Sequence, residues 1–172
     1  MCLNAGRRNL PNNKQNKNMT TEIDPLNETI GDIDTSFPRL VPSNYPMSIE
    51  CKIEPNKAGT GNNLIVTHKT TQEALSTSGD KMPAGVTITR YIGLTESAPK
   101  PGKSKGRDMK AINADVAVLA KAAKLPLTTK VSDLKADPTP LNGKVVIAKV
   151  SIRQATAEFP ESNDVKGYVI EG

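Results

Sequence analysis

The alternation between residues 45 and 54 constrains this chain more than any other feature. Tyr45, Met47, Ile49, Cys51 and Ile53 form one series, and Ser48, Glu50, Lys52 and Glu54 form the other. Successive side chains of a strand point to opposite faces, so a period of two describes a strand with one face in a core and one in water. Glu54-Pro55-Asn56-Lys57-Ala58-Gly59-Thr60-Gly61 follows and reads as a turn-rich loop.

Further strands follow. Residues 64–71 form a second strand, β-branched on both faces, and residues 72–85 are polar and end in Met82-Pro83-Ala84-Gly85. Residues 86–94 form a third strand. Its apolar set is Val86, Ile88, Ile92 and Leu94, with Arg90 interrupting that face and Tyr91 on the other. A helix is expected from about Asn113, a residue type that caps helices, with Asp115 in its first turn. Ile112, Val116, Leu119, Ala120 and Ala123 share one helical face, and Leu125-Pro126 stops the helix. A turn-rich segment with Pro138 and Pro140 leads to a fourth strand at residues 145–152, and an acidic loop at 158–164 leads to a fifth at 165–170.

Three strands, a helix and two strands is the plan of a mainly β, five-stranded Greek-key barrel of the OB type, with one helix between strands three and four. A sandwich with an inserted helix has the same strand count. Residues 41–172 are assigned to this domain, and residues 1–40 to a flexible basic arm and lead-in. The first 18 residues are Asn-rich and lack periodicity, so they cannot repay the entropy of ordering. Phe37-Pro38 and Val41-Pro42 favour extended backbone before the first strand.

The net charge of +5 is unevenly placed. Residues 1–18 hold Arg7, Arg8, Lys14 and Lys17 and no acid. Residues 19–79 hold 4 basic and 8 acidic residues, residues 80–153 hold 14 and 6, and residues 154–172 hold 1 and 4. A basic middle therefore lies between acidic flanks, densest at Lys100, Lys103, Lys105, Arg107 and Lys110. Such asymmetry points to a polyanionic partner, although charge runs are commonly just solvated loops.

Catalysis finds little to work with. His68 is the only histidine, and His68 with Cys51 falls short of the roughly four ligands of a structural zinc site. His68 reads as a structural or surface residue and Cys51 as core filler. The run from Ser97 to Ser104 ends in Gly102-Lys103-Ser104 like a phosphate-binding loop, but Ser97 replaces its first glycine. Pro99 and Pro101 also remove N–H donors that a phosphate cradle needs. The expectation is a non-enzyme with no cofactor and no metal. The polar N-terminus lacks the apolar region of a signal peptide, and no apolar run approaches the roughly 20 residues of a membrane helix. Two cysteines, one in a tail and one in a strand, suggest a reducing compartment.

Binding has more support. Lys and Arg in a groove neutralise phosphates without reading sequence. The candidates are Lys57, Lys69, Arg90, Lys100, Lys103, Lys105, Arg107, Lys110, Lys149 and Arg153, with Gly59 and Gly61 allowing close backbone approach. OB-folds bind oligonucleotides across strands two and three and the adjoining loops, where Lys57, Lys69 and Arg90 fall. Aromatics amount to only 3% of the chain, so binding is expected to be mostly electrostatic, with Tyr91 as the stacking candidate.

The stretch from Tyr45 to Leu64 resembles a family of small phage-encoded single-stranded-DNA-binding proteins, in which a Lys-x-Gly-Thr-Gly-type turn joins the first two strands. Further matching pieces are residues 85–94, the helix at 113–123, Gly143-Lys144-Val145-Val146 with Lys149-Val150, and Asn163-x-Val165 before Tyr168. The resemblance spans residues 45–172 and rests most directly on Lys57, Gly59 and Gly61. It implies an OB-fold protein of phage replication or recombination that guards transient single strands in the host cytoplasm. Single-stranded DNA, replication or recombination proteins and a second copy of the chain would be its partners. The acidic loop at 158–164 departs from the family, since acids there repel the polymer that loop should help to bind. The alternative is a virion structural protein, such as a capsid decoration or minor head protein. Long low-complexity arms, Pro-rich connections and few aromatics suit that role, because such arms order on neighbouring subunits.

Overall fold

The computed structural model describes residues 39–99, 106–157 and 159–170. The basic arm and the cluster members Lys100, Lys103 and Lys105 lie outside these residues. Among the described residues, no helix is long and apolar enough to cross a membrane.

The alternating segment forms β1 (Ser43–Pro55), with Met47, Ile49 and Cys51 buried on one face. It is followed by β2 (Asn62–Thr70), β3 (Ala74–Leu75), β4 (Lys81–Met82) and β5 (Thr87–Gly93). Next come α1 (Met109–Ala122), α2 (Val131–Ala136) and a 3-10 turn (Thr139–Leu141), then β6 (Val145–Arg153) and β7 (Ser162–Val169). Five strands form one antiparallel sheet in the order β5-β2-β1-β6-β7, and β3 and β4 form a small separate hairpin.

β1 is long enough to serve two neighbours in succession. Its residues 43–48 pair with β6 and its residues 47–55 pair with β2, so only Met47 and Ser48 are paired on both sides. Beyond Ser48 the flank freed by β6 is taken over by the chain entering that strand. Ile49 N–H donates to Lys144 O, Gly143 N–H donates to Ile49 O, and Cys51 N–H donates to the Asn142 side chain. These bonds extend the pairing of β1 past the end of the β6 ladder.

The sheet curls around one core. Leu64 and Val66 of β2, Ile88 and Ile92 of β5, Val146, Ala148 and Val150 of β6, and Val165 and Tyr168 of β7 all point into it. Val116, Leu119 and Ala122 of α1 cover it, with Leu134 of α2 and Leu141 of the 3-10 turn. Each fully buried aliphatic side chain contributes about 1.5–3 kcal/mol of transfer free energy, against the entropy of ordering it.

The structure corrects several sequence expectations. The sheet is not a closed barrel: β5 and β7 come within 8 Å of each other between Cα atoms but share no ladder. Side chains span that seam instead, with Arg90 of β5 over the ring of Tyr168 of β7. Two α-helices and a 3-10 turn occupy the interval where one helix was expected. α1 starts four residues before Asn113, because Asp108 is the cap and its side chain accepts from Ala111 N–H. Asn113 instead accepts from Lys135 of α2. The polar stretch at 72–85 holds the β3–β4 hairpin. Arg39 and Leu40, assigned to the lead-in, belong to the packed domain. Leu40 is fully buried and bridges to Ser76, Asn163 bonds both its N–H and its C=O, and Arg39 pairs with Glu161 at 2.8 Å.

Candidate nucleic-acid interface

The seam between β5 and β7 holds the most unusual chemistry in the domain. On β5 the inward positions are 88, 90 and 92, and the middle one is an arginine. An arginine there cannot join the apolar core unless its charge finds partners. The Arg90 guanidinium lies 5.7 Å from the centre of the Tyr168 ring and 3.9 Å from the Asp115 carboxylate of α1. Tyr168 in turn stacks on His68 of β2, with ring centres 5.7 Å apart and planes at 24°. Its hydroxyl is 2.9 Å from His68 Nε2, while His68 Nδ1 is 3.2 Å from Ile88 O. Nδ1–H therefore donates to the carbonyl, and Nε2 accepts from the phenol. A polar thread runs from the core through His68, Tyr168 and Arg90 to Asp115 and Arg107.

Burial sets the titration of the thread. It pushes the His68 imidazole down to about 4, against the Ile88 carbonyl, which favours the proton, and together with the Arg90 charge, which disfavours it. Burial likewise pushes the Tyr168 phenol up to about 12, with Arg90 pulling the other way. His68 is thus a neutral, satisfied core residue. Cys51 is also core, its thiol raised to about 12 by burial, so it is a poor nucleophile. Among the described residues no group of three His, Cys, Asp or Glu side chains could hold a metal.

Outside the thread, the seam opens into a cleft of about 610 Å³ lined by Thr89, Arg90 and Tyr91 of β5, Arg153 at the end of β6, and residues 162–166 of β7. Tyr91 is 62% exposed, the largest exposure of any tyrosine in the described residues. It stands beside Ile65 on β2, which in turn faces Lys52 on β1. Lys52 pairs with Glu54 at 2.7 Å. Arg153 lies 5.8 Å from the centre of the Phe159 ring, which is itself 54% exposed. Lys166 pairs with Asp164 at 3.1 Å.

The structure therefore brings Arg90, Tyr91 and Arg153 to one cleft. Lys69 sits on the same outer face as Tyr91, but four residues along β2 from Ile65, about 13 Å away. Lys57 is exposed at the tip of the β1–β2 turn, at the end of the sheet where Asn63 pairs with Gly93. Lys110 is exposed in the first turn of α1. Lys149 is exposed on β6, opposite Asn44 of β1 and Gly167 of β7, three strands from Tyr91. Arg107 is engaged by Asp115.

The two glycines have roles within the fold. Gly59 has φ +67°, and Asn56 closes the turn around it by accepting from Gly59 N–H on its carbonyl and from Thr60 N–H on its side chain. A Cβ on Gly61 would meet the Thr95 side chain at 1.9 Å. The close approach at Gly61 is thus to the chain leaving β5, while Gly59 serves the turn through its positive φ.

Sequence reasoning overlooked Lys166, Phe159 and Asp115. Only Phe159 carried a visible signal, as an aromatic stranded in an acidic, Pro-containing loop. That loop is less repulsive than its composition suggested, since Glu161 and Asp164 are each held by a cation. Comparison with protein-family models, with curated proteins and with solved structures finds no match.

Proposed function

We propose that this protein binds single-stranded DNA along the β5–β7 seam, without sequence preference and without catalysis. One observation carries the reading: an exposed tyrosine, Tyr91, at a cleft lined by Arg90, Arg153 and Lys166. Single-strand binders combine cations that track the phosphates with aromatic faces on which any base can stack. Phe159, next to the cleft-lining Arg153, offers a second such face nearby.

The fold we read here is an OB-type barrel opened along one seam. The order β5-β2-β1-β6-β7 supports this, being strands 3-2-1-4-5 once the short hairpin is left out. The cleft then falls beside strand three and the loop joining strands four and five, where this fold binds oligonucleotides. The Lys57-Gly59-Gly61 turn adds the phage replication or recombination setting, by resemblance alone. The virion alternative draws support from the outer face of β6 and β7, where Val145 is 51% exposed and stands beside Ile147, which pairs with Val169 of β7. An apolar strip of that kind suits a subunit contact.

The test is fluorescence anisotropy with labelled oligo(dT) between 50 and 200 mM salt. With Arg90, Arg153 and Lys166 each meeting a phosphate, log K should fall against log salt with a slope of about −2. Tyr91→Ala should weaken binding roughly 5- to 100-fold without altering the fold. No binding at tens of micromolar protein in low salt overturns the reading. Recovery of the protein in stoichiometric amounts from purified particles would favour the virion alternative.

A further inference from the structure

We infer that Arg90 and Arg107 form a phosphate subsite which Asp115 occupies from within the chain, so that a bound strand must displace this carboxylate to take both guanidiniums. The inference rests on the reading of the seam as a single-strand site, and adds to it how that site is regulated.

The geometry is that of one anion shared by two cations. Asp115 Oδ2 contacts Arg107 Nη2, while its other oxygen stands 3.9 Å from Arg90 Nη2, at the outer limit of ion pairing. Arg90 is therefore underserved, and the trio keeps one uncompensated positive charge. All three side chains reach solvent, at 20%, 32% and 38% exposure for Arg90, Arg107 and Asp115. An incoming anion can therefore compete for the guanidiniums. Arg90 also lines the cleft wall that carries Arg153 and Tyr91, so the subsite continues the proposed strand path.

Chemistry favours exchange over a permanent tie. A guanidinium fork accepts the paired oxygens of a phosphate in the same geometry as those of a carboxylate. A carboxylate that fits between two forks marks a place that a phosphate fits too. Asp115 lies mid-helix in α1, where aspartate is a poor helix former, so its position answers to Arg90 and Arg107 and not to the helix. Half-exposed ion pairs are weak, whereas a strand brings a row of charges and releases the counterions condensed on it.

Asp115→Asn keeps the shape and removes the charge. In the oligo(dT) titration at 100 mM salt it should bind about tenfold tighter than wild type, the worth of two weak ion pairs no longer opposing the strand. Asp133→Asn on α2, which removes one charge elsewhere, should change affinity far less. Wild-type binding with no gain in Asp115→Asn, at unchanged circular dichroism and melting temperature, overturns the inference and leaves the proposed function standing. Failure of both proteins to bind overturns the proposed function, and the inference with it. If Asp115→Asn does not fold, Arg107→Gln decides. A salt slope shallower by about 0.7 than wild type supports a phosphate contact at Arg107, and an unchanged slope refutes it.

Discussion

His68 ties stability to pH in a way that this chain exposes cleanly, because it is the only histidine. In the unfolded chain an imidazole holds its proton with a pKa of about 6.5. In the folded chain burial lowers that value to about 4. Between those values the unfolded state binds more protons than the folded one, so stability rises with pH through the window and is lost on acidification. At pH 7 both states are mostly neutral. At pH 5 the unfolded chain is almost fully protonated at this site and the folded chain is not. The loss between pH 7 and pH 5 works out to about 2 kcal/mol, a large share of the roughly 5–15 kcal/mol that holds a typical domain. The chain has no tryptophan, so urea unfolding is best followed by far-UV circular dichroism, at pH 7 and pH 5. His68→Gln should cost about 1–3 kcal/mol at pH 7 by breaking the bonds to Ile88 and Tyr168, and it should abolish most of the pH dependence. Equal losses in wild type and His68→Gln on moving from pH 7 to pH 5 would refute the reasoning, since the titrating group would then lie elsewhere.

Tyr168→Phe should cost about 1–3 kcal/mol in the same urea assay, because it strands the buried Nε2 of His68 while keeping the ring. Asp108→Ala removes the α1 cap, whose side chain accepts from Ala111 N–H, and should lower stability by about 1 kcal/mol. Lys124→Gly should raise the melting temperature, with a gain of up to about 1 kcal/mol. Lys124 closes α1 at φ 55°, a conformation glycine adopts freely and other residues do not.

What could be read from the sequence follows from the range over which each feature is determined. β1 was legible residue by residue, since Met47, Ile49 and Cys51 are buried by a pattern written within nine residues. The outward placement of Tyr91 followed from the same period of two on β5. The start of α1 was misplaced because Asp108 and Asn113 are both capping types, and only the Glu96, Arg107 and Ala111 contacts around its first turn select between them. The β3–β4 hairpin has strands of two residues, too short for any period to show. It is held by Leu40 and by bonds among Ser76, Ser78 and Asp80. Arg90 was visible as a break in an apolar face, but its partners Tyr168 and Asp115 come from other elements. Its role therefore belongs to the tertiary structure.

Arg90 also links the open sheet to the cleft. An aliphatic residue at that position would complete the row Ile88–Ile92 and let the β5 edge pack on β7 through apolar contact alone. The arginine instead brings a charge to the inner face of an edge strand. The fold answers with the Tyr168 ring on one side, backed by neutral His68, and the Asp115 carboxylate on the other. Bare edges facing a gap invite pairing with another chain, and charges placed along them oppose it. Arg90 on β5 and Lys166 on β7 do so here, and Arg153 at the end of β6 adds a third positive charge to the same cleft. Arg90 thus stands at both features, on the inner face of an edge strand at the seam and in the wall of the cationic cleft.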